Sequence, residues 1–411
     1  MSTSNVDDLV VPDLSQDETF LPGIPHAAFR ALRDRPGLYW QPTSRIPRGG
    51  YWAVARFEDI VAIEKDLSAF TSTQGGSFPV LTTGPAEGAP TDNLMMNDPP
   101  RHTGLRRLAA AGFGPRIIAK FDPWIRDIVR EVIEDVRHLE EFDYIEKFAR
   151  TIPAYVIARV LGVPDKDREK LVDWTLQIFA TDLAPEEGSN RLGNLEDAFK
   201  DMYVFAAELS EVKRQQPEDD MFSVMVKSLD AGEMTMPEFI QWMSLMMAAG
   251  FETTHTAIGQ SMRMYLEDPA VRIATNRALA ENNTARMADE YIRVISPVIQ
   301  MARTATRDVE IAGTLVAKND PVVLYFVSAN RDGAVFSDPD TFNPWREETA
   351  TLAFGSGVHR CLGSYLAKLE VQIVFEELRA SGLTLRLSGD PERGASAFIN
   401  QLRKLPVALT S

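Results

Sequence analysis

Phe354-Gly355-Ser356-Gly357-Val358-His359-Arg360-Cys361-Leu362-Gly363 contains the only cysteine of the 411-residue chain. A lone thiol forms no internal disulfide. It is an inert buried residue, a nucleophile or a metal ligand. Free cysteines are among the most buried residue types, so the thiol taken by itself reads as inert. Its neighbours change that reading. Gly355 and Gly357 tolerate positive φ and close backbone approach, so the loop reads as tight and built around something. Leu362, Tyr365, Leu366, Leu369, Ile373 and Leu378 then recur at roughly helical spacing, which predicts a helix over 362–381 with Cys361 at its N-terminus. First-turn N–H groups and the helix dipole favour a thiolate in that position.

An aromatic residue, two turn glycines and a stabilised thiolate suit an axial ligand to haem iron. The ten residues resemble the cysteine-ligand loop of the cytochrome P450 family. That resemblance implies haem b as cofactor, with Cys361 as its proximal iron ligand. It also implies that Phe354 packs beside the sulfur, that Gly363 lies against the haem and that His359 bonds a haem propionate. Thiolate ligation pushes electron density onto iron and favours O–O cleavage, the hard step of oxygen activation.

A chain of 411 residues commonly divides into two or three domains. No linker, internal repeat or charge block cuts this one, and the resemblance follows element order along nearly the whole length. It implies a single haem-thiolate domain over 1–411 with a β-richer N-terminal part and a helical core. The expected fold is mainly α with small β-sheets, the cytochrome P450 fold, with a long central helix over the haem. Hydrophobic residues make up 45% of the chain, enough for a large core, and the net charge of −16 speaks against nucleic-acid or anionic-membrane binding. The polar, acidic start Met1–Asp8 lacks a signal-peptide pattern, and no apolar run is long enough to span a bilayer. With one cysteine, a reducing cytoplasm without a membrane anchor is expected.

Periodicity predicts a strand at 51–55, a helix starting near Asp59 and a long loop over 72–98. Helices are expected at 101–112, 116–138, 142–162, 166–180, 192–214, 236–267, 268–279 and 284–295. Thr235 and Glu238 form a capping box for the long one, with Pro237 in its first turn. Strands follow at 309–311, 314–316, 322–325, 384–386 and 406–408.

Within the long helix, Ala249-Gly250-Phe251-Glu252-Thr253-Thr254 is a weak spot. Gly250 lowers helix propensity, and a threonine hydroxyl can bond back to the i−4 carbonyl. Such a segment either forms a small-residue packing notch or opens room for a ligand. It resembles the family's oxygen-binding groove. The resemblance implies that Ala249 lies against the haem, that Thr253 holds dioxygen through its hydroxyl and that Glu252 relays protons. Glu290 and Arg293, spaced i,i+3, read as a surface ion pair. The family pattern makes them a buried pair completed by an arginine, here Arg346. Propionates need cations, and resemblance assigns that task to His102, Arg106 and Arg303. Arg101, Arg107 and Arg360 are expected on a docking surface for an acidic redox partner. His255 sits two residues from Thr253 and is expected to pack or meet solvent, while His26 and His138 join no constellation.

Resemblance also nominates the substrate wall. It takes Phe78, Val80, Leu81, Leu94, Met95 and Met96 from the long loop and Ile178 and Phe179 from a helix. Leu245, Met246, Val298, Ile299, Met301, Phe398 and Ile399 complete it. These are apolar, with no acid or base aimed at a charged substrate. The implied activity is insertion of one oxygen atom from O2 into a hydrophobic small molecule, such as a terpenoid, steroid-like or aromatic compound. Electrons would come from a separate ferredoxin and its NAD(P)H-dependent reductase, because one cysteine cannot hold an iron–sulfur cluster. Three competing readings are a peroxide-driven peroxygenase, a non-catalytic haem-binding or sequestering protein, and a cysteine hydrolase.

Overall fold

The computed structural model describes residues 11–77, 94–110, 113–179 and 191–410. Phe78, Val80 and Leu81 lie outside them, and the side chains of Ile178 and Phe179 are outside the described parts as well. The helices that frame the site are α1 (Phe57–Lys65), α2 (Arg101–Ala110), α3 (Asp122–Val136), α4 (Thr151–Leu161), α5 (Met236–Glu267), α6 (Thr284–Ile295) and α7 (Ser364–Ser381). A five-stranded sheet combines β1 (Tyr39–Pro42), β2 (Gly50–Val54), β3 (Phe70–Thr71), β4 (Met301–Ala305) and β5 (Pro321–Leu324). Its strand order is β1-β2-β5-β4-β3. β2 runs parallel to β5 with Ala53 opposite Val323, and β4 runs antiparallel to both β5 and β3. Smaller two- and three-stranded sheets flank this one.

The expected helical order is present, with shifted ends. α5 spans the expected residues without a break, and its capping box forms: the Glu238 N–H donates to Thr235 Oγ1 while the Thr235 N–H donates to Glu238 Oε2 at 2.6 Å. The segment predicted as one helix over 142–162 begins instead as the strand Glu141–Asp143 and continues as a π-helical turn, Ile145–Arg150, before α4. Among the described residues, three α-helices come from stretches without an expected helix: His26–Asp34, Met221–Asp230 and the single turn Phe326–Ala329. Asp220 caps the second by accepting the Ser223 N–H at 2.7 Å.

α5 packs on α4 and on the π-helical turn, and α7 packs on α3, α5 and α6. The small residues of α5 set the closeness of that packing. A Cβ on Gly250 would come within 2.9 Å of Ile157 on α4, and one on Gly259 within 2.6 Å of Ile145. Tyr291 of α6 stacks on Phe375 of α7 at 5.1 Å between ring centroids. Glu290 and Arg293 are not a surface pair. Both are 3% exposed, and Arg293 bonds both Glu290 oxygens at 2.8 Å. Arg346 donates to the same carboxylate at 3.0 Å and to the carbonyls of Ser337 and Thr341. This buried cluster fixes the irregular stretch 337–346 against α6, immediately before the cysteine loop.

Candidate active site

Gly355 and Gly357 adopt φ of +63° and +62°, as the sequence required of them. The reason lies on α1. A Cβ on Gly357 would sit 2.5 Å from the Glu64 carbonyl, and one on Gly355 3.2 Å from Glu64 Oε1. The loop therefore folds directly over the C-terminal end of α1. It turns back on itself through the Cys361 N–H, which donates to the Phe354 carbonyl at 2.8 Å. Cys361 is not at a helix N-terminus as expected. α7 starts at Ser364, three residues later, because Gly363 occupies the capping position. The helix-dipole argument for the thiolate weakens, and a backbone N–H from Gly363 toward the sulfur takes its place. The residue is exposed on the cavity side; the protein enclosing the cavity raises the thiol pKa, while that N–H, Arg106 and Arg360 act in the opposite direction.

The sulfur opens onto a cavity with about 1520 Å³ of space between the atoms, its mouth included. Phe354, Gly363 and Leu366 line the cysteine side, and Ala249, Gly250 and Thr253 of α5 line another wall. Thr253 Oγ1 donates to the Ala249 carbonyl at 2.8 Å, so the expected back-bond exists, yet α5 stays helical through it. Of the nominated wall residues, Leu94, Met95, Leu245, Met246, Val298 and Met301 line the cavity. Phe398 does not. It lies in a turn, and its backbone carbonyl accepts the Ile299 N–H at 2.8 Å, next to the wall residue Val298. Glu252 is also absent from the lining. Its Oε1 lies 3.7 Å from Nδ1 of His255, which is 2% exposed, so His255 packs against the acid rather than meeting solvent.

Two arginines and two neutral histidines gather at one edge of the cavity. His102 and Arg106 of α2, Arg303 of β4 and His359 all line it. The rings of His102 and His359 are 4.3 Å apart, and Ser72 Oγ is 3.2 Å from His359 Nε2. Burial, with Arg303, His102 and Arg106 nearby, pushes His359 down to about 3. Burial and Arg106 lower His102 as well. Both ring nitrogens of His102 are buried without a hydrogen-bond partner. Orphaned nitrogens beside two guanidinium groups, at the rim of an apolar cavity with a thiol in its wall, fit an anionic edge on a large apolar ring. Haem with its propionates has that chemistry.

Comparison with known proteins agrees with the geometry. The cytochrome P450 family profile matches residues 284–378, from the buried Glu290 pair through the cysteine loop into α7. Cytochrome P450 126 of Mycobacterium tuberculosis is 33% identical over 97% of each chain. The chain belongs to the cytochrome P450 family. Linalool 8-monooxygenase of Pseudomonas putida is 30% identical, covering 97% of this chain and 98% of that one. The crystal structure of CYP108D1 from Novosphingobium aromaticivorans superposes with a TM-score of 0.85 at 28% identity, covering 98% and 99%. This P450 is a haem-thiolate monooxygenase with haem b as its cofactor.

Several cavity residues escaped the sequence reading. Trp242, Phe113, Pro297 and Phe326 were not singled out, and neither were two acids, Glu64 and Glu370. Glu370 projects from α7 with no partner for its Oε2, and complete burial holds its carboxyl well above the usual range. Arg101 is exposed and pairs with Glu238 at the start of α5. Arg107 and Arg360 remain exposed, and the Arg360 carbonyl accepts from Arg106 Nη2 at 2.6 Å. Among the described residues no helix is long and apolar enough to cross a membrane.

Proposed function

We propose that residues 1–411 act as one catalytic domain that hydroxylates a hydrophobic small molecule, terpenoid or steroid-like. The observation that carries this reading is the Cys361 thiol opening onto an apolar cavity bounded also by Ala249 and Thr253. The relative that is a linalool 8-monooxygenase supports the terpenoid class. The overall conversion takes R–H, O2, two electrons and two protons to R–OH and water. Haem b, when bound through a thiolate, supplies the oxygen activation for it.

The chain's residues divide that work. Cys361 would supply the thiolate that holds the haem, flanked by Phe354 and Gly363. His102, Arg106, Arg303 and His359 would hold the propionates. Ala249 and Gly250 would leave room for the ring and its substrate. The Thr253 hydroxyl spends its proton on the Ala249 carbonyl, and that back-bond fixes the oxygen at the cavity wall as an acceptor for an incoming proton donor. Glu252 is assigned the proton relay to Thr253, for which its carboxylate, 3.7 Å from His255 Nδ1, must turn toward the cavity. Leu94, Met95, Leu245, Met246, Val298 and Met301 exclude water and hold the substrate, the methionines adapting to its shape. A separate ferredoxin with an NAD(P)H-dependent reductase delivers electrons, since the sole cysteine is committed to the haem.

The test is a screen of terpenes and steroids by the spin-state change of the Soret band, followed by turnover of the hits. Product formed with NADH, reductase and ferredoxin supports the reading. Product formed only with hydrogen peroxide would replace it by a peroxygenase.

A further inference from the structure

Glu64 is a carboxyl buried at the cavity edge, brought by α1 to a loop nearly three hundred residues away; burial raises its pKa, while Arg303 and two hydrogen bonds from Ser356 favour the charged form. Its Oε2 accepts the Ser356 N–H at 2.7 Å and the Ser356 hydroxyl at 2.8 Å. Its Oε1 lies 3.4 Å from Nη2 of Arg303, with the two side chains 2% and 7% exposed. Both residues line the cavity. The left-handed Gly355 gives the carboxylate room. Arg303 is thus shared. One Nη donates to the Ala302 carbonyl at 2.7 Å, the other faces Glu64, and the same guanidinium borders the space the ring occupies.

We infer that Glu64 is a positioning residue that ties Arg303 to the cysteine loop and, by its negative charge, lowers the reduction potential of the bound haem. The inference rests on the haem-thiolate reading above. Ferric haem carries one more positive charge than ferrous haem, so a fixed anion in a low-dielectric interior favours the ferric form. Charge and hydrogen bonds around the ligands are the protein's levers on haem potential. A carboxylate that also partly neutralises Arg303 moves the potential in the same direction. A merely structural clamp would need the Ser356 bonds but not the charge.

Glu64→Gln separates the two, because the amide oxygen still accepts from Ser356 while the charge is gone. The haem-loaded protein and its variants are titrated reductively with optical detection, and each is scanned reduced under carbon monoxide. The expected result is an unchanged thiolate-type CO band with the midpoint shifted to more positive potential. Glu64→Asp, which keeps the charge, should stay closer to the parent. An unshifted midpoint in Glu64→Gln with the thiolate band intact overturns the inference and leaves the haem-thiolate reading standing. Equal shifts in both variants overturn it too. A parent protein without the thiolate band overturns the underlying reading instead. If Glu64→Gln takes up no haem, Glu64→Asp decides: haem retained at a near-parental midpoint supports the role of the charge, and haem lost reduces Glu64 to packing.

Discussion

Glu370 is a carboxyl with no partner for one oxygen, enclosed in the wall of the catalytic cavity. Burial raises its folded-state pKa above the unfolded value of 4.5, so the folded chain holds a proton that the unfolded chain has released. Its contribution to stability is fully present below pH 4.5 and is lost as pH rises toward the folded value. Glu370→Gln removes that loss. The variant should melt higher than the parent at pH 8, with the gap closing near pH 4, read by thermal unfolding across pH. A variant less stable than the parent at pH 8 would show that the carboxyl has a compensating partner. Legibility at this scale follows sequence locality. Cys361, its glycines and the Thr253 back-bond were readable because each declares itself within a few residues. Glu64 was not, since a glutamate near a helix end reads as solvated face and its partner Ser356 is remote in sequence. The direction of Glu252 toward His255 was equally hidden, because helical spacing gives the face and not the rotamer.

The elements that hold the site converge on the carboxylate of Glu290. α6 supplies Glu290 and Arg293, the irregular stretch supplies Arg346, and the Asn343 N–H also donates to the same oxygen at 2.9 Å. Removing the acid leaves Arg293 buried without its carboxylate and Arg346 with only Glu348 at 3.9 Å. Such losses cost about 3–5 kcal/mol. Glu290→Ala should therefore lose stability of that size in denaturant unfolding and fail to retain haem at moderate denaturant. Haem retention equal to the parent would separate this cluster from the cysteine loop. Among elements, long periodic helices such as α5 were readable from spacing and caps. β1, β3 and β4 were not foreseen. They are two to five residues long; β1 pairs locally with β2, Pro42 opposite Gly50, while β3 and β4 take their pairing from strands far along the chain, meeting at Phe70 and Ala305. The cluster's burial was likewise a property of packing, because an i,i+3 glutamate–arginine pair looks the same at a surface.

At the scale of the molecule, a chain of net charge −16 presents an exposed Arg360 in the cysteine loop, with Arg106 of α2 bonded to its carbonyl and Arg107 exposed on the same helix. A local basic patch on an acidic protein steers an acidic partner and is screened by salt. Arg360→Glu should raise the KM for ferredoxin at low salt about five-fold, equivalent to about 1 kcal/mol for one exposed pair. The difference should fade at high salt, while carbon monoxide binding stays unchanged. No change in KM would place the docking surface elsewhere. The fold as a whole was legible because local motifs fall in family order along the chain. The substrate was not, because an apolar wall reports size and dryness rather than identity.

The central claim is that Cys361 holds the haem as a thiolate. The purified protein, reduced with dithionite under carbon monoxide, tests it in one spectrum. A Soret band at the red-shifted position that gives the family its name, lost in Cys361→Ala, is the expected result. A band at the position of a neutral-ligand haem, or the same red-shifted band in Cys361→Ala, would contradict the assignment.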